Sequence, residues 1–151
     1  MSRRCTSWLV APRKFRYAEG VSWEPVENAL RQSHAATSRE GGGLEIRRAD
    51  ALVVVRPVEV EGRPWVKVSI EIATRAEVNL TTAMMHNFES PIGALEVAGD
   101  RVLLAQTLPL DGLDQRNLDE VIEFLSGKIA ELRAALVVAR TAAADDYASS
   151  F

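Results

Sequence analysis

The chain has 151 residues, 47% of them hydrophobic, and a formal net charge of -3; that is enough for one domain with a sizeable core, and it lacks the basic excess of a dedicated nucleic-acid binder. Cys5 is the single cysteine, so no intrachain disulfide can form and a reducing compartment is expected. No run approaches the roughly 20 apolar residues of a membrane span. The apolar run behind Arg3 and Arg4 covers only residues 8–11 before Pro12, Arg13 and Lys14, short of the about 7–15 residues of a secretory signal, so a cytoplasmic location is the expectation.

Residues 1–20 are locally basic, with Arg3, Arg4, Arg13, Lys14 and Arg16 interleaved with Trp8, Phe15 and Tyr17. They read as an N-terminal arm, either an extra edge strand with solvated charges or a contact for an acidic partner. A first helix is predicted over residues 24–36. Ser22 serves as N-cap, Pro25 lies in the first turn where early N–H groups lack partners anyway, and Trp23, Val26, Ala29 and Leu30 repeat at helical spacing. His34 has no second ligand at metal spacing and reads as a surface or boundary histidine. The glycines at 41–43 follow a helix and precede a strand, the reverse of the strand, glycines, helix order of a phosphate loop, so they read as a helix stop and connector.

Three strands are predicted next, over 44–48, 51–60 and 65–73, with turns near Asp50 and at 61–64. The third is the clearest: Val66, Val68, Ile70 and Ile72 alternate with Trp65, Lys67, Ser69 and Glu71, the pattern of a sheet with one buried and one wetter face. Pro57 removes a ladder donor from the second and places an edge or bulge there. Thr74 and Glu77 have capping-box spacing and predict a helix over 74–87. Its apolar arc is wide, running through Val78, Thr81, Met85 and Phe88 and through Leu80 and Met84, and serves either the core or a subunit interface, for which adaptable methionines are suited. His86 reads as structural.

Pro91 and Gly93 end that helix. Leu95, Val97, Val102, Leu104 and Leu108 are the inward residues of a hairpin turning at Gly99-Asp100, with its second strand ending at Pro109. Asp114 then caps a long helix predicted over 114–140, with a seam of Leu118, Val121, Ile122, Leu125, Ile129, Leu132, Leu136 and Ala139. Residues 141–151 read as a flexible tail, which leaves 21–140 as the single folded domain. No HExxH, CxxC or Ser-His-Asp spacing is present, so no catalytic residue, metal ligand or cofactor is assigned.

The element order α-β-β-β-α-β-β-α, with the stretch 74–136 built from a helix bearing Asn79, the break at Pro91 and Gly93, the hairpin ALEVAGDRVLLAQTLPL and the helix opened by LDQRNLDEVIEFL, resembles the YbjN family and the related type III secretion chaperone-like proteins. The resemblance implies an α+β fold, an antiparallel sheet with helices packed on one face. It also implies a homodimer that binds an extended segment of another polypeptide without catalysis; a small-ligand regulator, or an enzyme whose site is not visible in sequence, is the alternative. An open sheet face or edge suits extended peptides, which nominates Val54, Trp65 and Lys67 as binding residues and Met84, Met85 and Phe88 as the dimer interface.

Overall fold

The computed structural model describes residues 22–90 and 92–149. The basic arm expected at residues 1–20, and Pro91, lie outside the described residues. Helix α1 (Glu24–His34) leads through strands β1 (Thr37–Ser38), β2 (Leu44–Arg47), β3 (Leu52–Val60) and β4 (Arg63–Thr74) and a 3-10 turn (Arg75–Glu77) to helix α2 (Leu80–Glu89). Strands β5 (Ala94–Ala98) and β6 (Arg101–Pro109) and helix α3 (Gln115–Ser149) complete it. The strands form one six-stranded antiparallel sheet in the order β1-β2-β3-β4-β6-β5, and the helices cover one face. This is the expected α+β architecture with one addition, the two-residue β1, which the sequence reading ran into the connector after α1.

The hairpins follow from their turn residues. Between β3 and β4, Glu61 (φ 51°) and Gly62 (φ 74°) both take positive φ, the two-residue geometry that matches strand twist, so Arg63 and Pro64 join β4 and do not belong to the turn. Between β5 and β6 only the first turn residue, Gly99 (φ 63°), takes positive φ. The alternation in β4 is real: Val66, Val68 and Ile70 are fully buried beneath the helices, while Trp65, Lys67 and Ser69 project to the opposite, outer face. The register shifts between Glu71 and Ala73, a bulge that turns both Ile72 and Ala73 inward.

The helix-side core joins Val26 and Leu30 of α1, Leu44 and Ile46 of β2, and Val53 and Val55 of β3. Leu104 of β6 and Leu118, Ile122, Leu125, Ile129, Leu132 and Leu136 of α3 complete it. Asp114 caps α3 as expected, its Oδ1 accepting from Asn117 N at 2.8 Å. The helix then runs to Ser149, past the predicted end near 140; the alanine-rich stretch contains neither Gly nor Pro to stop it. Within the hairpin, Val97 departs from the inward reading, being 48% exposed at the sheet margin.

Three local readings are corrected. Helix α1 ends at His34, with Ala35 left-handed at φ 52°, and Ser22 Oγ accepts only a 3.3 Å bond from Glu24 N, one residue outside the N-cap Trp23. Thr74 does not open α2. Its Oγ1 donates to Glu77 Oε1 at 2.6 Å and caps no backbone group, so a single 3-10 turn forms. Extended Val78 then buries its side chain to 3% exposure, and Asn79 starts the helix proper, its side chain accepting from Thr82 N at 3.1 Å. Of the two readings of His34, surface or boundary, the structure supports the boundary one: the residue is partly buried, with 9% of its side chain exposed. Its Nδ1 lies 2.9 Å from Arg48 Nη2, which can only donate, so the ring carries its proton on Nε2 and donates to Asp119 Oδ1 at 2.6 Å. Arg48 continues to Glu123 Oε1 at 2.6 Å, so α1, the end of β2 and α3 meet in one polar junction.

Candidate functional site

The sequence-nominated residues fall into two groups on different parts of the molecule. Val54, Trp65 and Lys67 sit on the outer face of the sheet, on which no helix lies among the described residues. Strand register places Val54, Ser69, Ala105 and Ala94 in one row across four strands, and Val58, Trp65 and Pro109 in another. Ser69 and Ala105 are small and buried to 7% and 6% exposure, so Val54, Trp65 and Leu103, all half-buried, flank a floor of small side chains. Lys67 lies between the two rows. It is half-buried and reaches past β6 to an ion pair with Glu96 of β5, and Arg101 makes a parallel contact to Glu71 at 3.4 Å. The face is therefore a mixture of apolar rows and crossed ion pairs, able to hold a backbone and apolar side chains laid over it.

Met84, Met85 and Phe88 form the second group, on α2. A wide apolar arc at helical spacing is ordinarily core, yet from α2 the core takes only Ala83. Phe88 is 92% exposed, Met84 70% and Met85 56%, with Leu80 and Ile92 near 40% (39% and 42%). The core reading thus fails for Met84, Met85 and Phe88, although Val78 of the same arc is core. The reason is positional: the sheet-side flank of α2 is used by Ala83 and by Asn87, whose side chain bonds the backbone of Leu95, and among the described residues no element lies over the opposite flank. Uncharged side chains of this size are seldom gathered in one exposed patch on a protein surface.

A cleft of about 400 Å3 separates the end of α2 from α3, lined by His86, Ile92, Leu104, Phe124, Lys128 and Leu132 among others. Lys128 Nζ stands 5.6 Å from the Phe124 ring centroid, within cation–π range. His86 Nε2 is buried without a hydrogen-bond partner among the described residues. Among the described residues no group of three or more His, Cys, Asp or Glu side chains could hold a metal ion, and no helix is long and apolar enough to cross a membrane.

Sequence reasoning missed the groups that fix these surfaces in place. Arg133 of α3 donates to three carbonyls, Ile72 O at 3.0 Å, Asp50 O at 2.6 Å and Glu71 O at 3.0 Å, and so supplies donors where the β4 bulge interrupts the ladder. Nothing in the text around Arg133 signals this, since it reads as one more charge on a helix. Asn87, drawn as the end of a helix, is a second such group.

No protein-family model matches the sequence, and no curated protein does. Among solved structures, a chain of the HopA1–SchA chaperone–effector complex superposes with a TM-score of 0.58 at 8% sequence identity, over 74% of this chain and 92% of that one. At that identity the likeness is one of fold: this chain shares its α+β fold, helices on one face of an antiparallel sheet, with a chain of that complex.

Proposed function

We propose that the protein is a non-catalytic chaperone or adaptor that binds a segment of another polypeptide, working in the cytoplasm as a homodimer in the manner of the YbjN and type III secretion chaperone-like proteins. The observation that carries this reading is the exposed apolar face of α2, with Phe88 at 92% exposure, on a chain whose fold is that of a protein solved in a chaperone–effector complex. In this reading Leu80, Met84, Met85 and Phe88 meet a second copy. An uncharged stripe is self-complementary about a two-fold axis, because no like charges are brought together. Val54, Trp65 and Lys67 then contact the client, and residues 21–140 act as one domain with the basic arm at 1–20 added to it.

The test is affinity capture from the native cell with mass spectrometry, comparing wild type with Val54→Asp and Trp65→Ala. A discrete polypeptide recovered with wild type and lost with both variants supports the role. Recovery of no polypeptide by a folded bait counts against it.

A further inference from the structure

The two margins of the sheet are finished differently. At β5, Asn87 Oδ1 accepts from Leu95 N at 2.6 Å and Asn87 Nδ2 donates to Leu95 O at 2.8 Å, the same pair of bonds that a neighbouring strand would supply. Just before the strand, Ser90 Oγ donates to Ile92 O at 2.8 Å and Gly93 N donates to the side chain of Gln106 on β6 at 2.8 Å. The backbone pair of Leu95 is therefore already taken, and an incoming strand would have to displace Asn87.

Toward the other margin, β2 pairs with β3 only from Leu52 to Val55. Gly43 marks the crossing, where the chain runs so close that a Cβ would stand 2.7 Å from Arg56 Cβ. Beyond that point β3 continues to Val60 paired with β4 alone, so residues 56–60 have no strand on their other side among the described residues.

The outer face of this overhang carries an unbalanced charge. Arg56 stands directly opposite Lys67, Val58 opposite Trp65 and Val60 opposite Arg63. Like charges directly opposite are unfavourable in an antiparallel pair. Lys67 is relieved by Glu96, whereas Arg56 and Arg63, both exposed, make no ion pair among the described residues. Pro57 offers no N–H, so an added strand gains fewer main-chain bonds here and depends on its side chains for hold and selectivity.

We propose that the overhang of β3 at residues 56–60 is the docking edge for an extended polypeptide segment that sets a carboxylate beside Arg56 and apolar side chains beside Val58 and Val60, while Asn87 closes the β5 edge to the same segment. The proposal rests on the polypeptide-binding reading and supplies its location and the chemistry of the client.

The probes are terminally blocked seven-residue peptides alternating Thr with Val and carrying one Glu, Gln or Lys near an end, in both sequence orders, titrated into the full chain and followed by NMR. The Glu peptides shift the Val58 and Val60 methyls and the Trp65 indole and leave Leu95 unmoved. Replacing Glu by Lys weakens binding by about tenfold or more, as does Arg56→Glu, and the Arg56→Glu variant prefers the Lys peptide. Because Arg56 is exposed, unchanged signals elsewhere verify the fold, and Arg56→Gln gives an intermediate affinity. Equal binding of Glu and Lys peptides, shifts centred on β5, or no binding of any peptide overturns the proposal. Capture of a client from the native cell separates the two ideas. If Arg56→Glu captures it as well as wild type does, the edge is wrong and the function stands. If the Glu peptide binds but wild type captures no client, the edge stands and the function falls.

Discussion

Helices α2 and α3 lie on the same side of the sheet and use similar apolar residues at similar spacing, yet they meet opposite fates. On α3, Leu118, Ile122, Leu125 and Ile129 are all at 1% exposure or less, whereas on α2 Met84, Met85 and Phe88 are more than half exposed. The difference lies in what faces them. Helix α3 crosses the middle of the sheet above β4, while α2 sits at the β5 margin, anchored by Ala83 and by Asn87 bonds to Leu95. An apolar stripe therefore becomes core or contact surface according to where the fold sets the helix, and periodicity alone carries no information on that point.

The largest expected effect comes from cutting into the buried helix. Ile122→Ala removes a fully buried side chain and lowers unfolding free energy by about 2–5 kcal/mol, read from urea denaturation; a loss no larger than that of an exposed site would mean that α3 does not close the core. Arg133→Met keeps the aliphatic stem but withdraws the donors from three carbonyls, at about 1–3 kcal/mol, with faster hydrogen exchange at the end of β4 as its local sign. For α2 itself, Asn79→Ala deletes the cap on Thr82 N and costs about 1 kcal/mol. Smallest in stability is Met85→Asp, which stays within about 0.5 kcal/mol of wild type because the site is surface. Its expected effect is on the proposed dimer: light scattering gives a lower association state for Met85→Asp than for wild type, and an unchanged state would remove α2 from the proposed interface.

Much of the fold was legible because it depends on short-range chemistry. The strict alternation of Val66, Val68 and Ile70 declares a one-sided strand, Gly99-Asp100 a hairpin, and Asp114 a helix start. Reading failed where two signals competed locally, as at Thr74 and Glu77, whose side chains satisfy each other while Val78 must stay extended to reach the core. It failed again where a role exists only through partners distant in sequence. His34 gains its place from Asp119 and Arg48, and Asn87 is notable only because β5 lies beside it. The candidate residues on the outer face could be nominated from β4 and β3 alone, but the cation pair Arg56 and Lys67 emerges only from the register between them.

The grip of Arg133 on Asp50, Glu71 and Ile72 also has a consequence for how the chain is made. The helix that seals the helix-side core follows all six strands in the chain, so the strands are synthesised before the helix that covers their apolar inner face. Non-local closure of this kind is slow and leaves an interval in which a sticky surface is exposed. A nascent chain halted before residue 133 lacks the guanidinium that locks the bulge as well as the end of the α3 seam. The chain thus passes, during its own synthesis, through a stage in which the surface that later becomes its core is unprotected.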